Sequence, residues 1–111
     1  MKYQIVYIQH ILTCLNNINE YTNDIKQEEF LKNKLIQDAV IRNFEVIGEA
    51  SKRVSENYKN KHPNIEWKKM TNFRNFLIHE YTEIDYDLVW DIIQNNVTHL
   101  IIQLEEIKDM N

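Results

Sequence analysis

Nine consecutive residues, Phe73-Arg74-Asn75-Phe76-Leu77-Ile78-His79-Glu80-Tyr81, place an arginine, an asparagine, a histidine and a tyrosine within eight positions. The Arg74 guanidinium can grip a phosphate with a planar fork of donors. His79 can exchange a proton near neutral pH. Asn75 can orient a phosphate or a hydroxyl through its amide. Together these are the parts for RNA cleavage without a metal. A 2′-hydroxyl attacks its own phosphate, His79 moves a proton, and Arg74 stabilises the charge on the pentacoordinate phosphorus. At about 100° per residue, Arg74 and Tyr81 lie nearly in line on one helix, whereas His79 lies about 140° from Arg74. Convergence on one atom therefore needs a helix that ends near His79, side chains reaching a cleft from two flanks, or a two-fold dimer that pools two copies. The competing structural role for these residues is a surface ion pair and a helix C-cap.

Charge along the chain supports an anionic partner in this region. Residues 1–50 carry five positive and seven negative side chains, net −2. Residues 51–80 carry seven and three, net +4, and residues 81–111 carry one and seven, net −6. An acidic protein with a basic middle third is no general nucleic-acid coat, but it can present a local anion-binding surface. Lys52, Arg53, Lys68 and Lys69 are the candidates to steer RNA toward the motif, within a basic run that also includes Lys59 and Lys61. A solvated charge run is the alternative.

The elements that must position these side chains are helices. The 111 residues contain one glycine, Gly48, and one proline, Pro63. A sandwich or barrel of this length needs several turns with positive φ, which glycine supplies most easily. Gly-rich phosphate loops need at least two glycines. A 43% apolar content is enough for a core. Cys14 is the sole cysteine, so the chain has no intrachain disulfide, and a reducing compartment is expected. Gln9 and His10 interrupt any signal-peptide core, and no apolar run approaches a membrane span, so a cytoplasmic location is expected.

Periodicity predicts four helices in one domain spanning 1–111. The first, Tyr3 to Tyr21, carries the apolar stripe Ile8, Leu12, Leu15 and Ile18, beside a more polar one of Tyr3, Tyr7, His10, Cys14 and Tyr21. Asp24 and Gln27 read as a capping box for a long second helix, Ile25 to Tyr58. Its apolar face is Ile36, Val40, Phe44, Ile47, Val54 and Tyr58, and its polar face Asp38, Arg42, Glu45, Glu49 and Lys52. Gly48 inside it implies close approach of another helix. After a break around Pro63, a third helix runs from Asn64 or Ile65 to His79 with Asn64 as N-cap. Trp67, Met70, Arg74, Leu77 and Tyr81 share one side of it. Asp85 caps a fourth helix, Tyr86 to Lys108, with the stripe Tyr86, Val89, Ile93, Val97, Leu100, Leu104 and Ile107. Short connections between amphipathic helices predict an antiparallel bundle.

Trp67 and Trp90 read as core or interface aromatics, and Tyr3, Tyr7, His10 and Tyr21 as packing residues with polar tips. His62 and His99 read as surface residues. Asp38, Glu45 and Glu49 read as a solvated or partner-facing stripe; without H-E-x-x-H or Glu-x-x-His, no metal site and no cofactor are expected.

The stretch Arg74-Asn75-Phe76-Leu77-Ile78-His79 resembles the HEPN motif: an Arg, a polar residue, three variable positions and a His. The extended R-x-x-x-x-H-x-Y form, through Tyr81, resembles the HepT-like branch of toxins. The resemblance extends to Arg42-Asn43-Phe44-Glu45-Val46-Ile47-Gly48-Glu49-Ala50, to Ile65-Glu66-Trp67, and to Asp85 with Val89-Trp90-Asp91, and so covers nearly the whole chain. It implies an all-α fold, a four-helix up-down bundle, in a two-fold homodimer. It implies a ribonuclease toxin of a type VII toxin–antitoxin system, with Arg74 and His79 catalytic and Asn75 supporting them. The implied partner is a nucleotidyltransferase antitoxin of the MntA-like kind, which neutralises the toxin by transferring AMP to Tyr81. The alternative is a non-catalytic helical module that binds a nucleotide or a nucleotidyltransferase partner.

Overall fold

The computed structural model describes residues 2–77 and 84–108, without the side chains of Lys2, Tyr3, Arg74, Phe76 and Leu77. His79 and Tyr81 lie outside the described residues. Seven α-helices are seen among the described residues: α1 (Lys2–Thr22), α2 (Gln27–Lys32), α3 (Lys34–Arg53), α4 (Glu56–Lys61), α5 (Trp67–Leu77), α6 (Tyr86–Ile92) and α7 (Thr98–Lys108). A π-helical turn, Ile93–Val97, joins α6 to α7.

The four long arms form an up-down bundle. Side-chain contacts give the directions. Asn17 Nδ2 donates to Asn43 Oδ1 at 3.2 Å, and Gln4 Oε1 accepts from the Ser55 backbone N–H at 2.9 Å, so α1 and α3 run antiparallel. Ser51 near the end of α3 meets Trp67 and Thr71 in the first half of α5, while Phe44 further back in α3 meets Phe73. Gln103 Nε2 donates to the Asn64 carbonyl at 3.0 Å, which sets α7 antiparallel to α5, and Asn19 of α1 reaches Thr98 at 3.4 Å.

Each arm buries its periodic face. Ile8, Ile11, Leu15 and Ile18 of α1, Val40, Phe44 and Ile47 of α3, Met70 and Phe73 of α5, and Val97, Leu100 and Leu104 of α7 form one core. Gly48 is buried on α3, as expected of a glycine in a tight crossing. Trp67 and Trp90 are buried core aromatics: Trp90 packs on Phe30 at 5.3 Å, and Trp67 meets the edge of Tyr58 at 6.3 Å. Tyr7 packs against the core, whereas His10 and Tyr21 are exposed.

The second helix differs from the sequence expectation: it is three helices. Asn33 ends α2 and caps α3, its Oδ1 accepting from the Ile36 N–H at 3.0 Å. The side chain competes with the helical ladder and wins because it satisfies an otherwise unpaired N–H of the new first turn. Phe30, fully buried against Tyr86 and Trp90, holds α2 on α6. Asn33→Ala removes the cap and lowers stability by about 1 kcal/mol, read as a lower urea midpoint with an unchanged slope. A second break falls at Val54-Ser55, where Ser55 Oγ caps α4 by accepting from Tyr58 N–H at 3.1 Å.

The Asp24–Gln27 capping box is not formed. Lys26 occupies the N-cap position of α2 without a side-chain bond, and Gln27 Nε2 donates to Asp87 Oδ1 at 3.0 Å instead. Asn64 does not cap the third long arm, which begins at Trp67. Asn64 lies in the preceding turn, where its carbonyl is taken by Gln103. Asp85 caps α6 as expected, its Oδ1 accepting from Leu88 N–H at 3.1 Å. Among the described residues, no helix is long and apolar enough to cross a membrane.

Candidate active site and basic rim

Helix α5 carries the first half of the motif, and two contacts with α3 fix its position. Ser51 Oγ lies 3.0 Å from Thr71 Oγ1, and Thr71 Oγ1 also donates to the Trp67 carbonyl at 3.1 Å. Phe73 is fully buried, its ring edge-on to Phe44 at 4.8 Å. Arg74 follows Phe73 directly. Helical spacing puts its backbone position on the side of α5 shared by Trp67, Met70 and Thr71, which is the side toward α3. Asn75 is exposed at the edge of that side, and its amide donates to Asn72 Oδ1 at a long 3.4 Å. The described residues thus give a rigid mount for Arg74 and a solvent-facing amide at Asn75. His79 and Tyr81 continue the chain beyond them.

The four basic candidates are brought to one end of the bundle. The Ser51 hydroxyl reaches the Trp67 carbonyl at 3.4 Å, which sets the last turn of α3 against the first turn of α5. Lys52 and Arg53 follow Ser51, and Lys68 and Lys69 follow Trp67. Lys52, Arg53 and Lys68 are exposed. Lys52 and Arg53 also complement the negative end of the α3 dipole. Lys69 is more committed: its Nζ lies 3.0 Å from Glu66 Oε2, and Glu66 Oε1 lies 3.8 Å from His99 Nε2. His99 is exposed, as expected, and its Nε2 sits 3.1 Å from Gln103 Nε2. His62 is not a free surface residue. It is half-buried, its ring lies tilted against Tyr58 at 4.8 Å, and its carbonyl accepts from the Trp67 indole N–H at 2.9 Å.

Sequence reasoning missed the Ser51–Thr71 clasp and the hollow between α4 and α5. The only local trace of the clasp was a serine among buried positions of α3. The hollow arises from the Ser55 break, which turns α4 away from the axis of α3.

The polar stripe of α3 faces outward. Asp38 and Arg42 are exposed, and Arg42, Glu45, Val46 and Glu49 line a shallow depression of about 310 Å³. Among the described residues, no group of three His, Cys, Asp or Glu side chains is arranged to hold a metal ion. Burial pushes the Cys14 thiol above its ordinary value, against the opposing pull of the Arg42 guanidinium. Cys14 is therefore a packing residue rather than a nucleophile. Burial, and then the Asp38 carboxylate, push the Tyr86 phenol up in the same way.

The chain matches relatives over most of its length. A protein of Methanocaldococcus jannaschii named as a candidate RNase is 46% identical over 101 residues, covering 91% of this chain and 84% of that one. A protein of Thermococcus cleftensis, named as a candidate ribonuclease HepT, is 36% identical over 102 residues, covering 92% and 93%. A candidate RNase of Caldanaerobacter subterraneus is 34% identical over 107 residues, covering 96% of each chain. No solved structure matches the chain. The family profile described as Ribonuclease HepT-like matches residues 11–107, from the middle of α1 to the end of α7, and the chain belongs to this family of helical HEPN-type ribonuclease toxins.

Proposed function

We propose that the protein is the toxin of a toxin–antitoxin pair, an endoribonuclease that works without a metal and as a two-fold homodimer. The observation that carries the reading is family membership combined with the Arg74/His79 sequence spacing, Arg74 standing on an arm whose base lies beside exposed Lys52, Arg53 and Lys68. The 2′-hydroxyl oxygen attacks the adjacent phosphorus and loses its proton to an imidazole. The 5′-oxygen leaves and takes a proton, giving a 2′,3′-cyclic phosphate and a 5′-hydroxyl. His79 moves these protons, Arg74 stabilises the extra charge on the phosphoryl oxygens, and Asn75 orients them. Across a two-fold axis the partner supplies a second His79, which removes the demand that one helix aim Arg74 and His79 at one atom.

Tyr81, two residues beyond His79, is the point of control. A nucleotidyltransferase antitoxin directs the phenolic oxygen onto the α-phosphorus of ATP, and pyrophosphate leaves. The resulting AMP group adds bulk and negative charge where the RNA phosphate must bind. The test is RNA cleavage by purified protein before and after treatment with the transferase and ATP. Wild type loses activity as its intact mass rises by one AMP, and the modified peptide contains Tyr81. Tyr81→Phe still cleaves and resists silencing. Full modification at Tyr81 without loss of cleavage would overturn this control.

A further inference from the structure

Between α4 and the first turn of α5 lies a hollow of about 670 Å³. Its chemistry is uneven. Pro63, Ile65 and Trp67 make a mostly apolar wall, and Lys59, Lys68 and Lys69 bring three ammonium groups to it. Two carboxylates, Glu56 and Glu66, also line it, leaving one positive charge in excess. Glu66 is already held by Lys69 at 3.0 Å. Glu56 is a poor partner for Lys59: the separation is 4.0 Å and the Glu56 side chain is 86% exposed, while the Lys59 side chain is only 15% exposed. Such a pair contributes little, so among the described residues the half-buried Lys59 ammonium has only a long, exposed counter-ion that an incoming phosphate can displace. Lys68 is exposed on the same rim.

A concave site of this volume, apolar on one side with a few convergent cations, suits a ligand with a flat apolar part and a negative charge. A nucleotide has that form. Lys68 stands six residues before Arg74 on the same helix, about 9 Å along its axis. A strand whose phosphates recur every few ångströms spans that distance in a few nucleotides. We infer that this α4–α5 hollow binds one nucleotide of single-stranded RNA a few positions from the cleaved bond. The phosphate sits on Lys59 and Lys68, and the base lies against Pro63 and Ile65. The inference rests on the ribonuclease reading and gives its substrate a second point of attachment. It gives Lys59 of the basic run a defined place and adds Asn60, Pro63 and Ile65 to the residues singled out by sequence.

The test uses the full chain carrying His79→Ala, so that RNA survives, with a labelled single-stranded oligonucleotide read by fluorescence anisotropy across a salt series. Adding Lys59→Gln and Lys68→Gln weakens binding by about tenfold or more at low salt and reduces the salt slope by roughly one to two. The control, Lys32→Gln with Lys34→Gln at the α2–α3 junction, the end of α3 remote from the hollow, stays within about twofold, since these sites lie more than a Debye length of ~10 Å away. Asn60→Trp fills the hollow without touching charge, and it weakens binding while leaving the salt slope unchanged. Circular dichroism confirms that each variant folds. Unchanged binding by both the double-lysine and the Asn60 variants would overturn the hollow as an RNA site and leave the ribonuclease reading standing. Loss of nucleotidyltransferase binding with RNA affinity intact would assign the hollow to a protein and also overturn the proposal. Absence of RNA binding by the His79→Ala parent would bring down both readings.

Discussion

Arg74→Ala and His79→Ala each lower the rate of RNA cleavage by about 10²- to 10⁴-fold, the range seen when a general acid–base or an electrostatic stabiliser is removed. The double variant is little worse than the weaker single, because the two residues act on one transition state and their effects do not add. Arg74→Lys does not restore activity: a single ammonium cannot present the planar fork that matches two phosphoryl oxygens. Asn75→Ala has a smaller effect, about tenfold, consistent with an exposed amide held by a long 3.4 Å bond to Asn72. Single-turnover cleavage of a labelled RNA measures all five. Equal cleavage by wild type, Arg74→Ala and His79→Ala would favour the non-catalytic binding module instead.

Phe44→Ala has the largest expected effect on folding. Phe44 is fully buried, and its ring meets that of Phe73 edge-on at 4.8 Å. Removing it opens a cavity between α3 and α5 and costs about 3–5 kcal/mol. A domain of this size has only about 5–15 kcal/mol in total, so the variant stands near the unfolding threshold at 37 °C. Its effect reaches the site because Phe73 is the residue before Arg74. Even where the variant folds, α5 loses the contact that holds the arginine's backbone. Urea denaturation reads the loss as a lower midpoint, and a change under about 1 kcal/mol would show that the α3–α5 seam is not the anchor described here.

Much of the bundle was legible because its arms carry strong local periods. The stripes Ile8-Leu12-Leu15-Ile18 and Val40-Phe44-Ile47 are buried as the spacing demands. The fourth arm shows how finely the pattern can be read. Val89, Ile93 and Val97 are four apart twice in succession, a drift of about 40° per step on an ideal α-helix. The π-helical turn at Ile93–Val97, with more residues per turn, offsets the drift and keeps all three buried.

What was not legible depends on partners distant in the chain. Asn33 is a polar residue in a helical pattern until Phe30 finds Tyr86 and Trp90, more than fifty positions away. Asn64 reads as a cap until Gln103 takes its carbonyl. At the site, the order Arg74, Asn75, His79, Tyr81 is local and was visible. The mount beneath it, Ser51 against Thr71 and Phe44 against Phe73, is not encoded in any local spacing. The same holds for the hollow beside Lys59, which needs the Ser55 break and the Trp67 start together.

In the proposed reaction the RNA itself supplies the nucleophile and the protein supplies only protons and charge. The chemical identity of the new ends tests it most directly. Wild-type protein acting on a defined RNA in excess EDTA should give fragments ending in 2′,3′-cyclic phosphate with 5′-hydroxyl partners, resolved by mass spectrometry. Fragments with 3′-hydroxyl and 5′-phosphate ends, or cleavage that stops in EDTA and returns with a divalent cation, would contradict it.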